Sequence, residues 1–152
     1  MKDGPPYRSI ATISQEAVLW VAGLLISLGF FGLLPAATKN LEVFSTWWST
    51  AADARLFGLS EVSLLHNFLH LLLGAAALFA SSADRWARGF LLGAGIAMTM
   101  LVAYGQLATD PLLDSLVPDA PADAWLHGTL GIAMIAMGAG HRQIHRSRST
   151  TN

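Results

Sequence analysis

The chain has 152 residues, of which 53% are apolar and only 12% charged, with a formal net charge of -1. A soluble domain is about a quarter charged, so the deficit, together with a mean hydropathy of +0.49 and contiguous apolar runs, points to a membrane protein. The near-zero charge gives no basis for nucleic-acid binding. The lack of cysteine excludes disulfides, thiolate metal sites and cysteine nucleophiles.

Residues 1–15 form a polar N-terminal tail containing Lys2, Pro5, Pro6 and Arg8. The first apolar run, residues 17–37, meets the roughly 20-residue length of a membrane-spanning helix. The alternative is a cleaved signal peptide with Lys2 and Arg8 as its basic start, although the apolar core is longer than such peptides use. In residues 38–60, Val43, Phe44, Trp47, Trp48 and Ala51 recur at helical spacing. This predicts a short interfacial helix in the first outer loop, with the two tryptophans in the headgroup layer.

A second span is expected over residues 62–81. The tight connection at 82–85 makes it an antiparallel neighbour of a third span over 86–108. Residues 109–123 form a loop with three prolines and aspartates at 110, 114, 119 and 123. A fourth span covers 124–140, and residues 142–152 form a basic C-terminal tail. The sequence therefore predicts an all-α fold, an integral membrane four-helix bundle occupying residues 16–141.

Lys2, Arg8, Arg85, Arg88, Arg142, Arg146 and Arg148 fall on one side of this arrangement, against Lys39 and Arg55 on the other. Seven against two is a positive-inside bias. It predicts a multi-pass plasma-membrane protein with both termini cytoplasmic and both long loops outside.

Three spans carry polar residues at a similar depth in the outer leaflet. At 1.5 Å rise per residue, His66 lies roughly 7–8 Å below the outer end of its span, His70 roughly 13 Å, His127 about 6 Å and Tyr104 roughly 7–8 Å. Glu61, Gln106 and Asp123 sit just above them. His66 and His70 share a helical stripe with Gly74 and Ala77. His127 shares one with Gly131, Met134 and Gly138, and Tyr104 extends the stripe of Gly89, Gly93 and Ala97. Small residues mark faces where membrane helices pack together. The expectation is one inward-facing cluster of His66, Asn67, His70, Tyr104, Asp123 and His127, open to the outside.

Imidazoles, an amide and a phenol can satisfy one another as a hydrogen-bond network that holds helices in register. The same donors suit a pocket for a quinone or lipid headgroup. His66, His70 and His127 also offer three nitrogens to a metal, with Asp123 or Glu61 orienting a ring, and a haem ligated from the second and fourth spans uses the same residues. His141 and His145 form another i, i+4 pair, but among arginines, where solvation is the expectation.

Leu56-Phe57-Gly58, His66-Asn67-Phe68-Leu69-His70-Leu71-Leu72-Leu73-Gly74, Tyr104-Gly105, Val117-Pro118 and Asp123-Ala124-Trp125-Leu126-His127, in that order, resemble the bacterial four-helix membrane family known as domain of unknown function 4383. The resemblance covers residues 15–140. It implies a small integral membrane protein and draws attention to His66, Asn67, His70, Asp123 and His127, but implies no activity. Residues 118–122 are richer in proline than the family's usual approach to its fourth span.

No nucleophile–base pair or paired intramembrane carboxylate is visible. The reading is a non-catalytic membrane protein with an outward-facing His/Asn/Tyr pocket, serving a small ligand or assembly. Its partners are membrane lipids and a second copy or another membrane protein. The alternative is a His-ligated metal or haem protein with a redox or transport role.

Overall fold

The computed structural model describes residues 11–40, 54–105 and 121–149. They form four helices and a small sheet: α1 (Ile13–Phe31), β1 (Thr38–Lys39), β2 (Arg55–Leu56), β3 (Ser60–Glu61), α2 (Leu64–Ala80), α3 (Asp84–Gly105) and α4 (Pro121–Ser149). By length and composition, α1 and α3 are long and apolar enough to cross a membrane, while α2 is a shorter apolar helix.

Local chemistry sets the helix starts. Thr12 caps α1, accepting from the Gln15 N–H while the Gln15 side chain accepts from the Thr12 N–H, a reciprocal box that satisfies two otherwise unpaired donors. Ser63 caps α2, and its hydroxyl accepts the His66 N–H at 3.1 Å. α1 ends at Phe31, short of the predicted residue 37, and the chain leaves through turns into β1. α4 begins at Pro121, a residue suited to a first helical turn, and runs through Ser149, so the expected basic tail continues the helix.

The purely α-helical expectation needs correction. The connection between α1 and α2 holds a three-stranded antiparallel sheet in the order β1-β2-β3, with Thr38 opposite Leu56 and Arg55 opposite Glu61. Phe57 and Gly58, at φ 51 and 76, turn the chain between β2 and β3. Strands of two residues are too short to carry a period-two signal, so composition and spacing missed them. The predicted interfacial helix with Trp47 and Trp48 lies outside the described residues. So do residues 1–10 of the N-terminal tail, Gln106 and most of the acidic loop.

Successive helices alternate in direction. At one end the Thr12 hydroxyl donates to Asp84 at 2.5 Å and the Gln15 amide to the Ser81 carbonyl at 2.8 Å, which brings the start of α1 to the α2–α3 turn. Arg88 Nε reaches the Gly138 carbonyl at the same end. At the other end the Glu61 N–H donates to the Asp123 carboxylate at 3.0 Å, joining β3 to the start of α4.

α1 lies along α2 and α3 along α4, while α2 touches α3 only slightly. Val18, Val21, Ala22, Leu25, Ala77, Leu91, Met98 and Met134 are among the buried core residues, and Ala54, Leu56 and Val62 form a satellite cluster with Leu28 and Ala37. The close α3–α4 approach runs through Gly95 and Gly131. A Cβ on Gly131 would stand 2.5 Å from Thr99 Oγ1 and 3.0 Å from the Gly95 carbonyl.

The packing face of α3 is therefore Ala87, Leu91, Gly95 and Met98. The expected face of Gly89 and Gly93 points elsewhere, and a Cβ on either meets nothing within 4 Å. The stripes on α2 and α4 hold: Gly74 is closed by Ile26 of α1, and Gly138 by Leu92. Outer faces of the helices carry large apolar side chains, with Trp20 81%, Phe79 76% and Trp125 75% exposed.

Candidate metal centre

His66 and His70 stand one turn apart on α2, both buried, with ring centroids 4.3 Å apart. His127 comes from the first turns of α4 and completes a triangle, its centroid 5.3 Å from that of His66 and 5.5 Å from that of His70. One ligand nitrogen from each ring lies within 4.8 Å of the others. The α2 pair follows from i, i+4 spacing after the Ser63 cap. The third ring arrives because α4 starts beside β3 and runs antiparallel to α3.

The tautomer of His127 follows from its partners. Its Nδ1 lies 2.7 Å from the Asp123 backbone carbonyl, and a carbonyl can only accept, so Nδ1 carries the proton. In the neutral ring Nε2 then holds a lone pair, and this atom faces His70 Nε2 at 3.3 Å. A nitrogen pair bound to one tetrahedral ion at the usual zinc–nitrogen length would be about 3.3–3.4 Å apart. Metal-ligating histidines characteristically donate their other N–H to a carbonyl or carboxylate, as His127 does.

Asp123 fixes the start of this arrangement from outside it. Its carboxylate accepts from the Ser60 hydroxyl and from the Glu61 N–H, so it clamps β3 rather than entering the triangle. Burial pushes the carboxyl above its ordinary range, while the Ser60 and Glu61 donors act in the opposite direction. Glu61 pairs with Arg55 at 3.3 Å across the sheet, an exposed pair of small energetic weight.

Beside the rings is a chamber of about 270 Å³, lined by His66, His70 and His127 and by the apolar Leu69, Leu73, Met98 and Leu101, among others. It occupies the gap where α2 and α3 stand apart. The rings form its polar wall.

Two residues expected in the cluster lie elsewhere. Asn67 is fully buried on the face of α2 that meets α1, where a Cβ on Gly32 would overlap its amide. Among the described residues neither amide atom has a hydrogen-bond partner. One residue along a helix turns the side chain by about 100°, which takes Asn67 off the His66 face. Tyr104 is 48% exposed and does not line the chamber; it extends the Gly89–Gly93 stripe, where an added Cβ meets nothing within 4 Å. Conversely, Ser60, Ser63 and Met98 belong to the surroundings of the site. Only Ser63, directly before the apolar run that opens at Leu64, carries a sequence signal as a cap.

The fold and site together define a mostly helical protein with a three-histidine cluster beside an apolar chamber. Residues 15–140 match the model of the family described as Domain of unknown function (DUF4383), and the chain belongs to that family. No curated protein and no solved structure matches it.

Proposed function

We propose that this protein is a four-span integral protein of the plasma membrane, with both termini cytoplasmic, whose His66, His70 and His127 bind one divalent transition-metal ion. Support for the membrane comes from two helices of spanning length, from outer faces bearing exposed Trp20, Phe79 and Trp125, and from the seven-to-two basic asymmetry. A helical assembly that is apolar outside as well as inside fits lipid better than water.

The observation that carries the metal reading is the convergence of three imidazole nitrogens within 4.8 Å, with the lone pair of His127 Nε2 directed inward by its Nδ1 bond to Asp123. Nitrogen-only donors suit zinc or copper. Three protein ligands leave a fourth position, and the chamber supplies room for it. Haem has less support: a porphyrin plane would have to pass between His70 and His127, whose Nε2 atoms stand 3.3 Å apart.

The protein purified without chelator is expected to carry zinc or copper by elemental analysis. Alanine at His66, His70 or His127 should abolish that content, while alanine at His141 should not. Because the ligands must be neutral, affinity should fall as pH is lowered. If added zinc and copper leave both the metal content and the melting temperature unmoved, the centre is a hydrogen-bonded assembly site and the metal reading fails.

A further inference from the structure

At the end of the helices opposite the histidines, a cleft of about 540 Å³ opens between the start of α3 and the later turns of α4. Asp84, Arg85, Arg88 and Leu92 line one side, Gly138 and Ala139 the other. Arg88 is held by a bond from its Nε to the Gly138 carbonyl at 3.4 Å. Arg85 sits 5.4 Å over the ring of Trp86, itself 54% exposed. Among the described residues, neither guanidinium has a carboxylate within ion-pair distance. Asp84, the one acid among the described lining residues, takes the Thr12 hydroxyl instead.

Two guanidiniums without carboxylate partners among the described residues, one braced by a backbone carbonyl and one by an indole, leave their forks for an oxyanion. A guanidinium presents paired N–H groups that match phosphate oxygens. We infer that this cleft binds a phosphate oxyanion, and that its source is the headgroup of an anionic phospholipid. The lipid source rests on the membrane reading above, under which the cleft lies in the cytoplasmic headgroup layer. There anionic lipids concentrate and basic pockets between helices receive their headgroups. Trp86 beside Arg85 suits the same layer. The cleft is independent of the histidine centre, so the failure of one leaves the other standing.

The test uses full-length protein in an uncharged detergent, titrated with phosphatidylglycerol or phosphatidylcholine and read by native mass spectrometry, with and without millimolar inorganic phosphate. Phosphatidylglycerol is expected to bind on the order of tenfold more tightly than phosphatidylcholine. Arg85→Gln with Arg88→Gln should erase that preference, Arg88→Lys should weaken it, and Arg55→Gln at the opposite end should leave it intact. Should the double variant fail to fold, Arg85→Gln alone decides, because its side chain is exposed. Equal binding of the two lipids, or a preference that survives loss of both arginines, overturns the inference. Full displacement by inorganic phosphate overturns the lipid source.

Discussion

Asp123 holds His127 with its backbone and the sheet with its side chain. Its carbonyl accepts the His127 Nδ1 proton at 2.7 Å, while its carboxylate takes the Glu61 N–H at 3.0 Å and the Ser60 hydroxyl. The small sheet between α1 and α2 thereby reaches the orientation of one imidazole on α4. Strands too short to carry a sequence period become part of the support of the site, as outer-shell partners do at metal centres.

Asp123 therefore separates shape from charge. Asp123→Ala leaves the Glu61 N–H and Ser60 hydroxyl without their acceptor and should cost about 1–3 kcal/mol. Asp123→Asn can accept from Glu61 and donate to Ser60, so it should cost little. The carboxyl's folded value is raised above its ordinary 3.8, chiefly by burial. Its stabilising contribution is therefore full below the ordinary value and is lost as pH rises through the folded one. Melting temperatures across that window should fall for wild type relative to the asparagine variant. A gap that narrows with rising pH would contradict the buried-carboxyl account.

The glycines of α3 and α4 give a paired test of packing. Gly131→Leu drives a side chain into Thr99 and the Gly95 carbonyl and should destabilise by about 1–3 kcal/mol or more. Gly93→Leu enters open space and gains helix propensity of up to about 1 kcal/mol, so it should be neutral or mildly stabilising. Thermal unfolding in detergent distinguishes them. Equal losses at both positions would mean that the outer face of α3 is also covered.

These glycines also show how far the sequence could be read. The four apolar runs, the common stripe of His66 and His70, and the similar depth of His127 follow from helical period and rise alone. Two i, i+4 runs on α3 do not resolve themselves in that way. Gly89, Gly93 and Ala97 looked like a packing face, yet Ala87, Leu91, Gly95 and Met98 form it. Lipid-compatible and core-compatible surfaces are both apolar, so composition cannot choose between them. Tyr104 lies off the packing face with that stripe. Asn67 adjoins His66 in sequence, yet one residue of rotation turns it onto α1. The two-residue strands depend on pairing between distant segments, which local pattern does not encode.

Topology can be probed with the cysteine-free chain. Leu59→Cys lies in the exposed turn between β2 and β3, where the native residue is 71% exposed; Ser82→Cys lies at the exposed α2–α3 turn. An impermeant maleimide on intact cells should label position 59 and spare position 82 until the membrane is opened. The reverse pattern would invert the protein in the membrane. Labelling of both would sink the proposed spans.

Asn67 carries the last prediction. Its side-chain amide is fully buried, and neither polar atom has a partner among the described residues. An unpaired buried amide costs about 1–3 kcal/mol, and Leu keeps the same branched heavy-atom outline without polar atoms to satisfy, though with bulkier methyl ends. If the amide is orphaned, Asn67→Leu should leave stability unchanged or raise the melting temperature, and the metal binding proposed for His66, His70 and His127 should be unaffected because the amide faces α1. Gly32→Ala, which places a methyl against that amide, should destabilise the native protein. It should destabilise the Asn67→Leu background as well, since the leucine fills the same space. A marked loss of stability in Asn67→Leu that the smaller Asn67→Val shares would instead mean that an ordered water or a bound molecule satisfies the amide between α1 and α2.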